Sequence, residues 1–100
     1  MKVLITSATL GVAHKLKNKL NNDVVLLGDY ADLPAFMLKN IIKLPNPATD
    51  TYTHEMLKIC LDNDIEALYP LTNAEMDVLL ISEQLFKEYN INIIDGRNEL

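Results

Sequence analysis

A short polar loop, TSATLG at residues 6–11, is the first place where this sequence could bind a ligand. The loop follows an apolar run and precedes a helical pattern, so it is expected to lead into the N-terminus of a helix. The free N–H groups and the dipole at a helix N-terminus attract anions. The hydroxyls of Ser7 and Thr9 would add donors, or would simply cap the helix. Gly11 is the only glycine of the loop, whereas a dinucleotide-binding turn needs the pattern G-x-G-x-x-G. The loop therefore disfavours a dinucleotide, and it leaves open a helix cap alone or a wall of a ligand crevice.

A second polar stretch, LTNAE at residues 71–75, also lies between an apolar run and a helical pattern. Thr72 and Glu75 have the spacing of a capping box, in which the hydroxyl accepts from the Glu75 amide and the carboxylate returns to the Thr72 amide. Thr72 and Asn73 could also hydrogen-bond a carboxylate or phosphate. The sequence leaves two alternatives open, a cap alone or a cap that also contacts a ligand.

The remaining reactive side chains do not form a catalytic pattern. Cys60 is the only cysteine and lies on the apolar stripe of a helical segment, which indicates packing. His14 and His54 lie on different predicted helices, each at a helix start or in a polar setting, so we expect both to face solvent. Neither has a metal ligand four residues on. No nucleophile elbow and no phosphate-binding P-loop motif occurs. We therefore predict no catalytic residue and no metal ligand.

Apolar runs and helical patterns alternate along the chain and must position these loops. The runs, at residues 2–6, 24–28, 41–44, 65–70 and 91–94, are typical of strands covered on both faces. Helical patterns occupy residues 11–21, 51–63 and 73–89, and a short one is predicted over 34–40. The apolar stripe of 51–63 includes Tyr52, and that of 73–89 includes Ile81. One hundred residues in this alternation predict a single domain, residues 1–100.

The alternation predicts an α/β, Rossmann-like three-layer sandwich with a parallel five-stranded sheet. We favour the strand order 3-2-1-4-5, with 2-1-3-4-5 as the alternative. Ligands of open α/β sheets bind beyond the carboxyl ends of the strands, where the strand order reverses. That crevice would lie between the first and fourth strands, bordered by residues 7–11 and 71–75, with Asp29 on its rim.

Composition excludes several classes of function. The chain has nine basic and fourteen acidic residues, a net charge of −5 and no basic patch, so we expect neither nucleic acid nor an anionic membrane as a partner. No apolar run approaches the roughly 20 residues of a membrane span. The amino terminus does not have the pattern of a signal peptide. With one cysteine, these features predict a cytoplasmic protein.

Three stretches together resemble the N-terminal, pre-ATP-grasp domain of ATP-grasp ligases, in particular short proteins similar to the large subunit of carbamoyl phosphate synthase. Residues 2–17, KVLITSATLGVAHKLK, resemble the opening strand, small-residue loop and helix. Residues 41–79 resemble a strand ending in a proline loop, a helix with the pattern Y-x-x-x-L-x-x-I-C, and a strand closing in proline before a polar turn. Residues 86–100 resemble the last helix, the final strand and the lead into the next domain.

The resemblance implies a substrate-side role in an ATP-dependent carboxylate ligase, without catalysis by this domain alone. By residue, it implies that Ser7, Ala8, Thr9, Thr72, Asn73 and Glu75 face the substrate, with Asp29 as a rim contact and Gly11 in the same loop. Two positions depart from the family. Residues 10–12 replace a region that often carries glycine and arginine, and Asn73 replaces a frequent acid.

The resemblance also sets expectations about cofactors and partners. ATP and Mg²⁺ would be bound by the two ATP-grasp lobes that follow this domain, so no cofactor is expected within these residues. The chain would be the N-terminal part of a longer protein, its partners being those lobes and a small-molecule carboxylate.

Other classes of function remain as alternatives. A free-standing nucleotide binder is one, although the loop has few glycines. An interaction module that forms a homodimer through an edge strand at residues 41–44 is another. A response-regulator receiver is disfavoured, because Thr6-Ser7 and Pro45-Asn46 stand where its acidic residues are needed.

Overall fold

Strands and helices alternate along the chain in a computed structural model, which describes residues 1–20, 23–36 and 40–99. The strands are β1 (Lys2–Ile5), β2 (Val24–Asp29), β3 (Ile41–Lys43), β4 (Ala67–Tyr69) and β5 (Asn92–Ile93). The helices are α1 (Gly11–Lys19), α2 (Tyr52–Asp62), α3 (Asn73–Ile81) and α4 (Glu83–Glu88), followed by a 3-10 helix at Gly96–Glu99. Each predicted strand has its counterpart, with ends within two residues of the expected ones.

The five strands form one sheet in the order β3-β2-β1-β4-β5, and every neighbouring pair is parallel. The predicted order 3-2-1-4-5 is confirmed, and the alternative 2-1-3-4-5 is excluded. Ile5 lies opposite Leu27 on one side and Tyr69 on the other, so β1 and β4 end at the same level. The order reverses between these two strands, as in Rossmann-like folds.

Helices cover both faces of the sheet because alternate strand residues point to opposite sides. Val3 and Ile5 belong to a buried cluster with Ala13 and Leu16 of α1. Leu4 belongs to the opposite cluster, which buries side chains of α2, α3 and α4, namely Tyr52, Met56, Leu57, Cys60, Leu79 and Phe86. The result is the predicted three-layer sandwich.

Two helix predictions need correction. The single helix predicted over 73–89 is broken at Ser82, whose φ of −106° and ψ of 12° end α3 and precede α4. The Ser82 hydroxyl lies 3.3 Å from that of Thr53 on α2, and Ile81, expected on the apolar stripe, is 88% exposed. The break lets α3 and α4 turn separately onto the same cluster. Of the helix predicted over 34–40, residues 34–36 are not helical, and 37–39 lie outside the described residues.

Candidate functional site

The loops that leave β1 and β4, at residues 6–10 and 70–72, meet at the carboxyl edge of the sheet, and we call their junction the notch. The Thr6 amide donates to the Tyr69 carbonyl at 3.2 Å. The Thr6 hydroxyl in turn accepts from the Leu71 amide at 3.1 Å. The predicted juxtaposition of these loops is therefore confirmed, since hydrogen bonds join them directly.

The carboxylate of Glu75 is the centre of a buried hydroxyl cluster between the two loops. Its Oε1 accepts from the hydroxyls of Thr6 at 2.9 Å, Thr72 at 3.0 Å and Ser7 at 3.3 Å. Its Oε2 accepts from the Tyr52 hydroxyl at 3.2 Å. Glu75 is 0% exposed, and a buried carboxylate is tolerated only when hydrogen bonds replace its water. The four hydroxyls therefore hold Glu75 inside the notch.

Tyr52 is the member of this hydroxyl cluster that the sequence did not reveal. Its position on the apolar stripe of α2 indicated packing, and its ring is indeed buried in the core. Burial, followed by the negative charge of Glu75, raises the pKa of the Tyr52 phenol well above its usual range. Tyr52 therefore stays protonated as a donor. The one available signal was general: a buried tyrosine hydroxyl usually has a hydrogen-bond partner.

The predicted capping box at Thr72 is formed only in part. Thr72 is the N-cap of α3 and accepts from the Glu75 amide at 3.3 Å, as expected. The return bond from the Glu75 carboxylate to the Thr72 amide is absent from the hydrogen bonds of the described residues. The physical reason is competition, because the carboxylate instead accepts from the hydroxyl cluster.

The loop after β1 does not cap α1 with a side chain. The N-cap of α1 is Leu10, without a side-chain hydrogen bond, so the alternative in which Ser7 or Thr9 caps this helix is wrong. Both hydroxyls are engaged elsewhere, Ser7 with Glu75 and Thr9 with Asp29. Ser7 adopts a φ of 53°, a left-handed conformation that is unfavourable for residues other than glycine.

Asp29 at the end of β2 fastens the other side of this loop. Its Oδ2 accepts from the amide and hydroxyl of Thr9 at 3.1 and 2.8 Å, and its Oδ1 accepts from the Ala31 amide at 2.9 Å. Burial raises the pKa of Asp29, but the hydrogen bonds from Ala31 and Thr9 outweigh it and hold the pKa below its ordinary value of 3.8. The ionised Asp29 thus orders the loop.

The eight predicted substrate contacts divide into a buried and an accessible set. The buried set is Ser7, Ala8, Asp29 and Glu75. The accessible set is Thr9, Gly11, Asn73 and the half-buried Thr72. Substrate contact stays a prediction for all eight residues. Thr9 and Thr72 belong to the accessible set and are also hydrogen-bonded within the notch, Thr9 to Asp29 and Thr72 to Glu75.

A third loop, following β5, also reaches the notch and was missed by sequence reasoning. The Gly96 amide donates to the Pro70 carbonyl at 3.1 Å, which draws this segment against the exit of β4. Arg97 follows directly, and its guanidinium donates to the Asn73 side-chain oxygen and to both carboxylate oxygens of Asp95. The available signal was Gly96, a residue typical of close backbone approach.

Other candidate groups lie away from the notch. Cys60 is fully buried, and burial raises the pKa of its thiol to about 12, so it packs as a neutral side chain. His14 and His54 are exposed, as predicted. Within the described part of the chain, no three His, Cys, Asp or Glu side chains are grouped as a metal site would need. None of the helices in residues 1–20, 23–36 and 40–99 has the length and apolar character of a membrane span.

Solved structures match the chain in fold. No protein-family model and no curated protein sequence matches it. The chain is similar to L-threonine 3-dehydrogenase from Trypanosoma brucei, with a TM-score of 0.61 and 24% identity over 91% of this chain and 34% of that one. It is also similar to glycinamide-RNase-transformylase T from Mycobacterium tuberculosis, with a TM-score of 0.64 and 14% identity over 97% and 29% of the respective chains.

A third similar structure is dTDP-glucose 4,6-dehydratase from Bacillus anthracis in complex with NAD. Its TM-score is 0.60 and its identity 10%, over 95% of this chain and 36% of that one. At these identities the likeness establishes the fold alone. The chain spans about a third of the length of each of these proteins. The chain therefore has a Rossmann-like α/β fold that also occurs as a part of longer proteins.

Proposed function

We propose that this chain is the N-terminal, substrate-side domain of an ATP-grasp, carbamoyl-phosphate-synthase-like carboxylate ligase. In such an enzyme the carboxylate attacks the terminal phosphorus of ATP and forms an acyl phosphate with release of ADP. A nucleophile then attacks the acyl carbon and displaces phosphate. The following lobes would bind ATP and Mg²⁺, while this domain would contribute a wall of the substrate cleft.

The observation that carries the proposal is the notch between the loops after β1 and β4. The cluster around Glu75 ties the two loops together, and Asp29 ties down the first of them. A site held by its own buried hydrogen bonds is ordered before a ligand arrives, which lowers the entropy cost of binding. Such an ordered wall suits positioning of a substrate.

The same hydrogen bonds argue that this domain supplies no catalytic acid or base. A catalytic carboxylate must reach the proton that it transfers. The Glu75 carboxylate accepts from four hydroxyls, and the Asp29 carboxylate accepts from Thr9 and Ala31. Both carboxylates are thus engaged in holding loops, and the chemistry would depend on the following lobes.

The length comparison is also in keeping with a domain of a larger enzyme. Glycinamide-RNase-transformylase T matches nearly all of this chain with 29% of its own length. A chain of this size would then supply one of several parts of a cleft. The family assignment itself depends on the resemblance of residues 2–17, 41–79 and 86–100.

An ADP-release assay tests the proposal that this domain is not catalytic alone. We expect the purified chain with Mg²⁺-ATP and a panel of small carboxylates and amines to release ADP no faster than a Thr72→Ala, Asn73→Ala variant. A rate clearly above that of the folded variant would contradict the proposal. Circular dichroism of both proteins provides the folding control.

The reading frame that encodes this chain tests the family assignment directly. We expect it to continue past Leu100 into lobes with a lysine-bearing strand and a late pair of acidic residues. A stop codon there would contradict the assignment and favour a stand-alone nucleotide-binding or protein-interaction module.

A further inference from the structure

The guanidinium of Arg97 lies at the rim of the notch and has N–H groups without an acceptor among the described residues. An arginine side chain carries five N–H groups in a planar fork. Nε and Nη2 donate to the Asp95 carboxylate at 2.9 and 2.7 Å, and Nη1 donates to the Asn73 side-chain oxygen. The other two N–H groups of Arg97 have no acceptor among the described residues, and the side chain is 40% exposed.

Asn73 presents donors in the same place because Arg97 determines how its amide is oriented. The Asn73 oxygen accepts from Arg97, so its nitrogen points away from the guanidinium. That nitrogen carries two N–H groups, and residues 1–20, 23–36 and 40–99 offer them no acceptor. Asn73 is exposed, so these groups face solvent. Together, Arg97 and Asn73 present N–H donors and no free acceptor.

The backbone fixes Arg97 in this place. The amides of Ile94 and Gly96 donate to the carbonyls of Leu68 and Pro70 at 2.9 and 3.1 Å, so the segment after β5 runs against the exit of β4. A side chain at Gly96 would place its Cβ 2.5 Å from the Leu71 Cδ2 and 3.1 Å from the Pro70 oxygen. Only glycine allows this approach without displacement of its neighbours. Arg97 is therefore placed beside Asn73 by packing.

We propose that Arg97 and Asn73 bind one oxyanion, a carboxylate or phosphate group of the substrate. A planar guanidinium matches the two oxygens of such a group, and Asn73 adds neutral donors beside it. Glu75 and Asp29 do not compete for the donors of Arg97 and Asn73, because their carboxylates already accept from the loop after β1, Glu75 from Thr6 and Asp29 from Thr9. The charges of Asp95 and of the nearby Asp77 offset part of the positive charge of Arg97, so the arrangement of the N–H donors, more than the net charge, would select the anion. The inference rests on the proposed function, since it names the substrate chemistry of the same notch.

Side-chain NMR of the whole chain tests this proposal. Inorganic phosphate and sodium acetate are added separately at constant ionic strength, with sodium chloride as the reference. We expect saturable shifts of the Arg97 Nε–H and Asn73 amide signals. If only phosphate saturates the shifts, the ligand group is a phosphate, and if only acetate does so, it is a carboxylate. If both anions saturate the shifts, the site binds oxyanions in general. Absence of saturable shifts with both anions overturns the proposal.

Matched variants separate this pair from general charge effects. Arg97→Gln and Asn73→Asp should each weaken anion binding about tenfold or more, as expected for loss of hydrogen bonds to a charged group. Lys87→Gln is the control, because Lys87 is an exposed cation paired with Glu83 on α4 at 3.7 Å. It should leave the dissociation constant within about twofold. Thermal melts establish that each variant is folded.

The outcomes distinguish this inference from the proposed function. The anion could shift the backbone amide signals of Thr9 and Thr72 while the Arg97→Gln variant keeps the dissociation constant of the unchanged protein. That result overturns the Arg97–Asn73 site, although the notch still binds an anion. If the pair binds anions but the reading frame lacks the ATP-grasp lobes, the site stands and the ligase assignment fails.

Discussion

The Tyr52 hydroxyl links the helical layer to the loops of the notch through one buried hydrogen bond. It donates to Glu75 Oε2 across 23 residues of sequence. Loss of a partner to a buried charged group leaves that group under-satisfied, which is more costly than loss of a surface hydrogen bond. This single hydroxyl is therefore expected to stabilise the notch measurably.

Replacement of Tyr52 by Phe should lower the free energy of unfolding by about 1.5–3 kcal/mol, because it removes a hydrogen bond to a charged group and keeps the ring. Tyr89→Phe is the matched control, since Tyr89 is 50% exposed and the change should stay within about 0.5 kcal/mol. Urea unfolding measures both. In the double variant with Glu75→Gln the losses should fall short of additivity, because the two residues share the bond. Additive losses would contradict a direct Tyr52–Glu75 interaction.

Asp29 should make the stability of the protein dependent on acid. Its pKa is lowered in the folded chain, so its contribution is fully present above the ordinary value of 3.8 and is lost as the pH falls through the folded value. Asp29→Asn should therefore destabilise the protein at neutral pH, and this difference should shrink as the pH falls below 3.8. Urea unfolding across that range measures it, with Asp50→Asn, an exposed substitution, as the control. A difference that does not change with pH would argue against this role of Asp29.

At the level of elements, α2 and α4 end in the same way and deliver the chain into β4 and β5. Asp64 and Asn90 follow these helices with φ values of 56° and 61°. The Ile65 amide donates to the Cys60 carbonyl at 2.8 Å, and the Ile91 amide donates to the Phe86 carbonyl at 3.0 Å. These are Schellman motifs, in which glycine is the favoured left-handed residue.

Asp64 is therefore a position where glycine should stabilise the fold. Asp64→Gly should raise the free energy of unfolding by about 0.5–1 kcal/mol, because it relieves the left-handed conformation and removes a negative charge at a helix C-terminus. Asp64→Ala should not stabilise, since it keeps the Cβ. At Asp62, within α2, the order should reverse, with Ala about 1 kcal/mol more stable than Gly. Thermal or urea unfolding of the four variants measures the order of stability at each position. An alanine variant more stable than the glycine variant at Asp64 would contradict the prediction.

For the whole molecule, the arrangement of β1 and β2 predicts that NAD will not bind. In Rossmann dinucleotide sites an acid at the end of the second strand holds the ribose, and a glycine-rich loop admits the pyrophosphate. Here Asp29 is 4% exposed and accepts from Thr9 and Ala31. Gly11, the first residue of α1, is the only glycine between β1 and β2. Calorimetry at millimolar NAD should record no saturable heat. Saturable heat, together with shifts of the backbone amide NMR signals of residues 9 and 31 on addition of NAD, would support the dinucleotide-binding alternative.

The sequence was informative where a pattern repeats along the chain. Apolar runs at residues 2–6 and 65–70 predicted strands, and the favoured order 3-2-1-4-5 placed these two side by side, which the sheet confirms. The pattern was less informative over 73–89, because a stripe that contains Ile81 does not reveal a helix that turns at Ser82. Periodicity records which residues are apolar, while the direction of each helix depends on the surface against which it packs.

By itself, the sequence determined the class of fold, because local periodicity and the right-handedness of crossovers restrict the topology, and it favoured the strand order in which the two loops meet. The structure excluded the alternative order, 2-1-3-4-5. Only the tertiary structure decided which polar groups pair. Thr6 and Glu75 are 69 residues apart, and Asn73 and Arg97 are 24 apart. A side-chain hydrogen bond depends on a separation of a few ångströms in space and on burial, neither of which has a period in the sequence. The hydroxyl cluster and the Arg97–Asn73 pair therefore became visible only once the strands were placed side by side.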